Sequence, residues 1–356
     1  MNSEQPPAET PTTNSNQRSA DDLLPPVSPP SSGFIMQLFV IPLLVVSMIV
    51  GIWLLFHWVA NRDMKPIELA QDIERLNHAS WQKALTLANQ LRDPGNEELR
   101  GNRELCEQLS SQLTLRIKEG GEDQERVWLR IYLCRALGEF EVDTGMPALI
   151  AAVGHQESIE DIEVRRAALQ SIGILVNRID TAKSQEDLLP AVIEAADATG
   201  EAPEETLRYD RLRGTAAFVL GLIQDEVATG QLANGQLAKM LDDASEDVRY
   251  NAAVGLARHG DQRCVTLLVK MLEGAFAEES PENKDLTKQE ITEWRITKRQ
   301  LVITTALRAT SRLLANDPSF DLSPIQHALQ NMALQESLEP NVLQEAQRVL
   351  EQLKAS

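Results

Sequence analysis

The chain has 356 residues, room for two ordinary domains or one long repeat array, with 4% aromatic and 43% hydrophobic residues. Few aromatics and much Ala and Leu favour packed helices over sheets. A net charge of −19 argues against nucleic acid, because phosphate contacts need clustered Lys and Arg; it reads first as a solubility feature and second as a field that favours a basic partner.

Residues 1–33 form a leader with seven prolines (Pro6, Pro7, Pro11, Pro25, Pro26, Pro29 and Pro30) among many Ser, Thr and Asn. It has too little apolar surface to offset the entropy of ordering, so disorder is expected. The stretch Leu24 to Pro30 could also serve as a ligand for a proline-recognising groove.

Residues 34–60 follow as one apolar zone, densest from Leu38 to Phe56 and interrupted there by Pro42, Ser47 and Gly51. About 20 apolar residues cross a bilayer as a helix, so a single transmembrane helix is expected. Trp53, His57 and Trp58 crowd its far end, where amphipathic rings favour the interface. A cleaved signal peptide fits less well: the leader is acidic, the apolar run is long, and no small-residue cleavage site follows. Near the span the leader carries Arg18 alone, against Arg62, Lys65 and Arg75 on the other side, which expects the C-terminal bulk in the cytoplasm and the leader outside.

Residues 61–120 predict an irregular helical cap. Pro66 and Ile67 open a helix, Trp81 to Leu91 forms another, Asp93-Pro94-Gly95 is a turn, and Glu97 to Ile117 reads as a third helix. A terminal layer of an array needs one polar outer face, which suits this composition.

Residues 121–274 repeat one pattern four times: an apolar residue and Arg, apolar residues four, seven and eight places on, then Gly or Ala. The copies run Leu129-Arg130 to Gly138, Val164-Arg165 to Gly173, Leu212-Arg213 to Gly221 and Val248-Arg249 to Ala257. Each predicts a first helix, followed by a second at Met146 to Val153, Leu188 to Ala195, Leu237 to Leu241 and Val265 to Leu272. In the last copy Ser245 is placed to cap the first helix, Gly260 to end it and Asp261 to cap the next, an antiparallel pair with a tight turn. Such stripes are too thin to bury themselves, so the pairs must stack into an all-α solenoid. The recurring small residue suits close approach of two helices. The arginines are 35, 48 and 36 residues apart (165−130, 213−165, 249−213), so the middle interval carries an insertion, expected in Thr199 to Glu205.

Residues 275–290 read as an acidic loop, and 291–356 as divergent helical repeats, with a long helix over Trp294 to Leu314 and closing helices at Ile325 to Leu334 and Val342 to Leu353.

At these residues the chain resembles the HEAT-repeat superfamily, in particular the short bacterial kind first noted in phycobiliprotein lyases. The similarity covers about 120 to 275 well and 290 to 356 weakly. It implies a curved superhelix whose second helices face the concave side, a surface that in the family usually binds another protein.

The sequence offers few residues in chemically suggestive patterns. His57, His78, His155, His259 and His327 are scattered, with no HExxH, so no metal site is expected. The phosphate-loop, dinucleotide and nucleophile-elbow motifs are missing, and no cofactor or catalytic residue is expected. Asp242, Asp243, Glu246 and Asp247 crowd together without the Gly-centred calcium loop, which favours helix-start electrostatics. Cys106, Cys134 and Cys264 are an odd, scattered set that predicts buried free thiols. Arg130, Arg165, Arg213 and Arg249 form either a ligand-binding stripe or structural ladders to acidic residues of a neighbouring repeat, with Glu163 and Asp247 as candidate partners.

Three functions follow. The first is a membrane-tethered, non-catalytic scaffold for a protein partner. The second is a lyase-like accessory protein that handles a chromophore, as in the best-known relatives. The third is a sensor with its solenoid outside the cell.

Overall fold

A computed structural model of the chain describes residues 31–60, 66–75, 77–200, 202–203, 205–223, 227–274, 286–317, 320–332 and 338–355. Residues 1–30 of the leader, the flank carrying Arg62 and Lys65, Pro318, Leu334 and the part of the expected acidic loop over 275–285 lie outside them. The chain divides into two units, Met1–Asp63 and Met64–Ser356.

The first unit contributes one helix, α1 (Ser32–Ala60), which runs unbroken through Pro42. Every described side chain from Ser32 to His57 is exposed, so the helix buries no face of its own. Its 29 residues span about 43 Å at 1.5 Å per residue.

The second unit is all-α among its described residues. Its helices are α2 (Pro66–Glu74), α3 (Ser80–Arg92), α4 (Glu97–Arg100), α5 (Arg103–Glu119), α6 (Gln124–Gly138), α7 (Met146–Gly154), α8 (Asp161–Arg178), α9 (Leu188–Ala196), α10 (Thr206–Leu220), α11 (Val227–Met240), α12 (Glu246–Arg258), α13 (Val265–Glu273), α14 (Lys288–Asn316), α15 (Ser323–Met332) and α16 (Pro340–Ala355). They stack in two rows. In the first row α3, α6, α8, α10, α12, α14 and α16 each pack on the next; in the second row α5, α7, α9 and α11 do so, as do α13 and α15. One hydrophobic core runs between the rows from Leu69 to Val349. This is an α-solenoid.

Several expected details change. The helix expected over Glu97 to Ile117 is two helices, because Asn102 interrupts it and its side chain accepts from the Leu105 N–H at 3.0 Å to start α5. With α3 and α5 in the two rows, residues 66–119 continue the stack. The expected turn at Asp93 forms, with Asn96 N–H donating to Asp93 O at 3.0 Å and Gly95 N–H to Asp93 Oδ1 at 2.9 Å.

The second helix expected at Leu237 to Leu241 starts ten residues earlier, at Val227. Gly230, Asn234 and Gly235 weaken its helical signal, while Ala233, Leu237 and Met240 are buried and hold it by packing. Helix α14 begins at Lys288, inside the span expected to be loop. Thr287 and Glu290 form a reciprocal capping box there. Ser245 does occupy the position before α12, but its hydroxyl makes no cap bond.

Pairing also differs from the simple hairpin. Helix α7 packs on α8 far more than on α6, and α9 packs on α10 far more than on α8. Helices α7, α9 and α11 are thus each joined most closely to the first helix of the following repeat. The insertion between Arg165 and Arg213 is spread over several places. Helix α8 runs on to Arg178, whereas α6 ends at Gly138, and α10 starts at Thr206, further ahead of its arginine than α8 starts ahead of Arg165.

The small-residue positions lie where first-row helices meet. A Cβ on Gly138 would stand 2.7 Å from Ser171 Cβ on α8, and one on Gly221 would stand 2.6 Å from the Gly255 Cα on α12. Gly173 faces Phe218 of α10, with 3.2 Å to a ring carbon from an added Cβ. On α12 Gly255 receives Gly221 at the register that Ser171 occupies on α8.

Candidate functional site

The four pattern arginines share one arrangement. Each donates to a main-chain carbonyl at, or a few residues past, the end of the second helix that precedes its own helix. Arg130 Nη2 reaches Gly121 O at 2.7 Å, and Arg165 Nε reaches Val153 O at 2.7 Å. Arg213 Nη1 reaches Ala198 O at 3.2 Å, while Arg249 Nη1 reaches Asp243 O at 2.7 Å and Ala244 O at 2.9 Å. Val153 is in the last turn of α7, whose final carbonyls have no partner within the helix, while the other acceptors are turn carbonyls just past a helix end. Ahead of α6, Gly120 and Gly121 hold φ of 59° and 102°, a turn that residues with side chains resist.

Two of the arginines also reach forward by one repeat. Arg130 Nη1 lies 2.7 Å from Asp161 Oδ1, with the two side chains only 1% and 2% exposed. The other oxygen of Asp161 accepts from the N–H groups of Glu157 and Ser158, both at 2.9 Å. Arg213 meets Asp243 with two nitrogens, Nε to Oδ2 at 2.8 Å and Nη2 to Oδ1 at 3.0 Å, and also meets Asp210 at 2.6 Å. Arg165 donates to Gln156 and stands 4.0 Å from Glu194. The acidic partners are therefore Asp161 and Asp243. Glu163 binds Arg166 on its own helix at 2.7 Å, and Asp247 meets Lys298 at 3.4 Å.

Burial alone would raise the Asp161 carboxyl. The Glu157 and Ser158 N–H groups and the Arg130 guanidinium outweigh it and hold the group below its ordinary value. Asp243 behaves the same way, with burial opposed by hydrogen bonds from Arg213 and Ser245. Burial depresses the Arg165 guanidinium. Asp243, Glu246 and Asp247 serve separate contacts, since Glu246 accepts from the Tyr250 hydroxyl at 3.0 Å.

The three cysteines are buried, and desolvation pushes each thiol up to about 12. His78 Nδ1 lies 2.8 Å from Glu125, His155 lies 3.8 Å from Asp161, and His259 bonds Asn234. Among the described residues no group of three or more His, Cys, Asp or Glu could hold a metal ion.

One feature escaped the sequence reading. Trp81 of α3 lies across Trp128 and Tyr132 of α6, with ring centroids 4.7 and 6.1 Å away, and Arg135 stands 5.2 Å from the Tyr132 ring. All three rings are half-buried. The signal was present as two aromatics one helical turn apart, in a chain with few of them. Beside Trp81 opens a cleft of about 730 Å³, whose lining includes Asn77, His78, Asp123 and Glu125.

Residues 248–274, which hold α12 and α13, match the PBS lyase HEAT-like repeat. Among the curated proteins none matches. A designed armadillo repeat protein is 19% identical, with a TM-score of 0.33, covering 76% of this chain and 99% of its own. An engineered protein of known crystal structure is 15% identical, with a TM-score of 0.38 and coverage of 82% and 100%. A designed armadillo repeat protein in complex with the peptide (KR)4 is 20% identical, with a TM-score of 0.32 and coverage of 76% and 99%. The matched repeat, with the recurring arginine-bearing helices around it, supports a likeness of this α-solenoid to the HEAT-repeat superfamily.

Proposed function

We propose that the chain is a membrane-anchored scaffold whose solenoid holds a protein partner and carries out no chemistry itself. The observation that supports this most is the division of labour between its two units. Helix α1 is apolar on every side and buries none of it, which is stable in hydrocarbon and unfavourable in water. The second unit carries one continuous core and presents long rows of helix surface outward, the form from which repeat proteins make extended binding faces.

Asp161 and Asp243, with the pattern arginines, are engaged in holding the turns. Thiols raised to about 12 are poor nucleophiles, which also fits a scaffold. Under this reading Arg62, Lys65 and Arg75 mark the cytoplasmic flank, so the solenoid is cytoplasmic. The tether confines partner search to the membrane surface and raises local concentration, so a modest face suffices.

Affinity purification of the full chain from detergent-solubilised membranes tests the reading. A defined protein should co-purify through the second unit in stoichiometric amount. Recovery of the chain alone, or its release from membranes by carbonate, contradicts it. Protease added to intact cells should digest the leader and spare residues 66–355; the reverse pattern turns the solenoid outward.

A further inference from the structure

The aromatic face of α3 and α6 has a chemistry of its own. Trp81, Trp128 and Tyr132 present ring surface and three donors, two indole Nε1–H groups and one phenol O–H. None of these donors has a hydrogen-bond partner among the described residues. A ligand that lies flat on the rings and offers only acceptors would complete them.

An extended proline-rich segment has that character. In the polyproline form its carbonyls make no internal hydrogen bonds, its backbone is already ordered, and its rings lie on aromatic faces. The adjoining cleft adds charge. Asp123 and Glu125 wall it; Asp123 Oδ1 caps α6 by accepting from the Arg126 N–H at 3.1 Å, its Oδ2 lies 3.0 Å from the Arg126 guanidinium, Glu125 lies 2.8 Å from His78, and all four side chains are about half exposed or more. Such exposed pairs are worth little and exchange readily for another cation. The net charge of −19 draws in a basic ligand.

We infer that the Trp81–Trp128–Tyr132 face binds an extended, proline-rich segment of the partner protein, with a Lys or Arg beside its prolines seated in the Asp123–Glu125 cleft. This deepens the scaffold reading and rests on it. Under that reading the chain's own proline-rich leader stands across the membrane and is not the occupant.

The test titrates the full chain in lipid nanodiscs with two synthetic peptides, decaproline and decaproline bearing one terminal arginine, by calorimetry. Both should bind, the arginine peptide more tightly. Tyr132→Phe keeps the ring and removes one donor, and should weaken both by about 3- to 10-fold. Trp128→Ala should weaken both by at least about tenfold. Glu125→Gln should weaken only the arginine peptide, and thermal melts confirm that each variant is folded.

Failure of both peptides to bind wild type overturns the inference, as does unchanged binding by folded Trp128→Ala and Tyr132→Phe. Peptide-independent contact of the three rings with nanodisc lipid, seen as quenching by brominated phosphatidylcholine that Trp128→Ala reduces, also overturns it in favour of a membrane-facing patch. A partner that co-purifies equally with wild type and Trp128→Ala overturns this inference and leaves the scaffold standing. Absence of any partner overturns the scaffold, even where the peptides bind.

Discussion

Arg213 grips Asp243 with two nitrogens, at 2.8 and 3.0 Å, and the main-chain carbonyl of that same aspartate receives Arg249 at 2.7 Å. One residue between α11 and α12 therefore joins the arginines of two successive repeats. The pattern arginine works as a clamp on the segment that joins a second helix to the next first helix. It fits the packing of α7 on α8 and of α9 on α10, where each second helix rests on the first helix that follows it more than on the one before it.

Arginine substitutions should separate by burial. Arg130→Ala leaves Asp161 charged, buried and short of its guanidinium, and should lower stability by about 3–5 kcal/mol. Arg249, whose contacts are with carbonyls near the surface, should cost about 1 kcal/mol or less when changed to Ala. Chemical denaturation of both variants reads this directly. Equal losses would remove the argument from burial.

Acid should undo the same clamps. Asp161 and Asp243 have carboxyls held below their ordinary values in the folded chain. A group of this kind contributes stability that is fully present above its unfolded value, about 3.9, and is lost as pH falls through the folded value. Stability should thus drop steeply below about pH 4. Asp243→Asn should be less stable at pH 7 and show a shallower acid slope. A slope identical to wild type would show that Asp243 has no part in it.

Glycine substitutions should move in opposite directions. Gly221→Ala drives a methyl to 2.6 Å from the Gly255 backbone, and should destabilise by about 1–3 kcal/mol or more. Gly235 lies within α11 with nothing within 4 Å of an added Cβ, so Gly235→Ala should stabilise by about 0.5–1 kcal/mol. Melting curves of the two variants decide it.

The cysteines should be silent in the native state. With Cys106, Cys134 and Cys264 buried and their thiols raised to about 12, iodoacetamide at neutral pH should label none of them until denaturant is added. Rapid native labelling of any one would place it in an open part of the fold.

The solenoid was legible because its signal is periodic. Four copies of apolar-Arg followed by apolar residues at helical spacing could bury their stripes only by stacking, and they do. What the sequence obscured has physical causes. Helix α11 is rich in Gly and Asn, so local propensity hid a helix that packing stabilises. Asp161 and Asp243 were missed as partners because Glu163 and Asp247 are nearer in helical register, while the true partners sit at or just before the next first helix. The spread of the insertion is hidden because a composition shift marks the loop at Thr199 to Glu205 but a longer α8 leaves no such mark. The aromatic face was invisible for another reason: Trp81 and Trp128 come together only through the packing of α3 on α6, which no local pattern records.

Site-specific photo-cross-linking in intact membranes tests the scaffold reading most directly. A photoreactive residue at Gln170, exposed on α8, and another at Trp128 would sample two places on the first-row helices. The account predicts discrete adducts with one protein, formed when the chain is membrane-bound and greatly reduced when α1 is deleted. Probes that yield no protein adduct from either position, with the full chain present in the membrane, would contradict it.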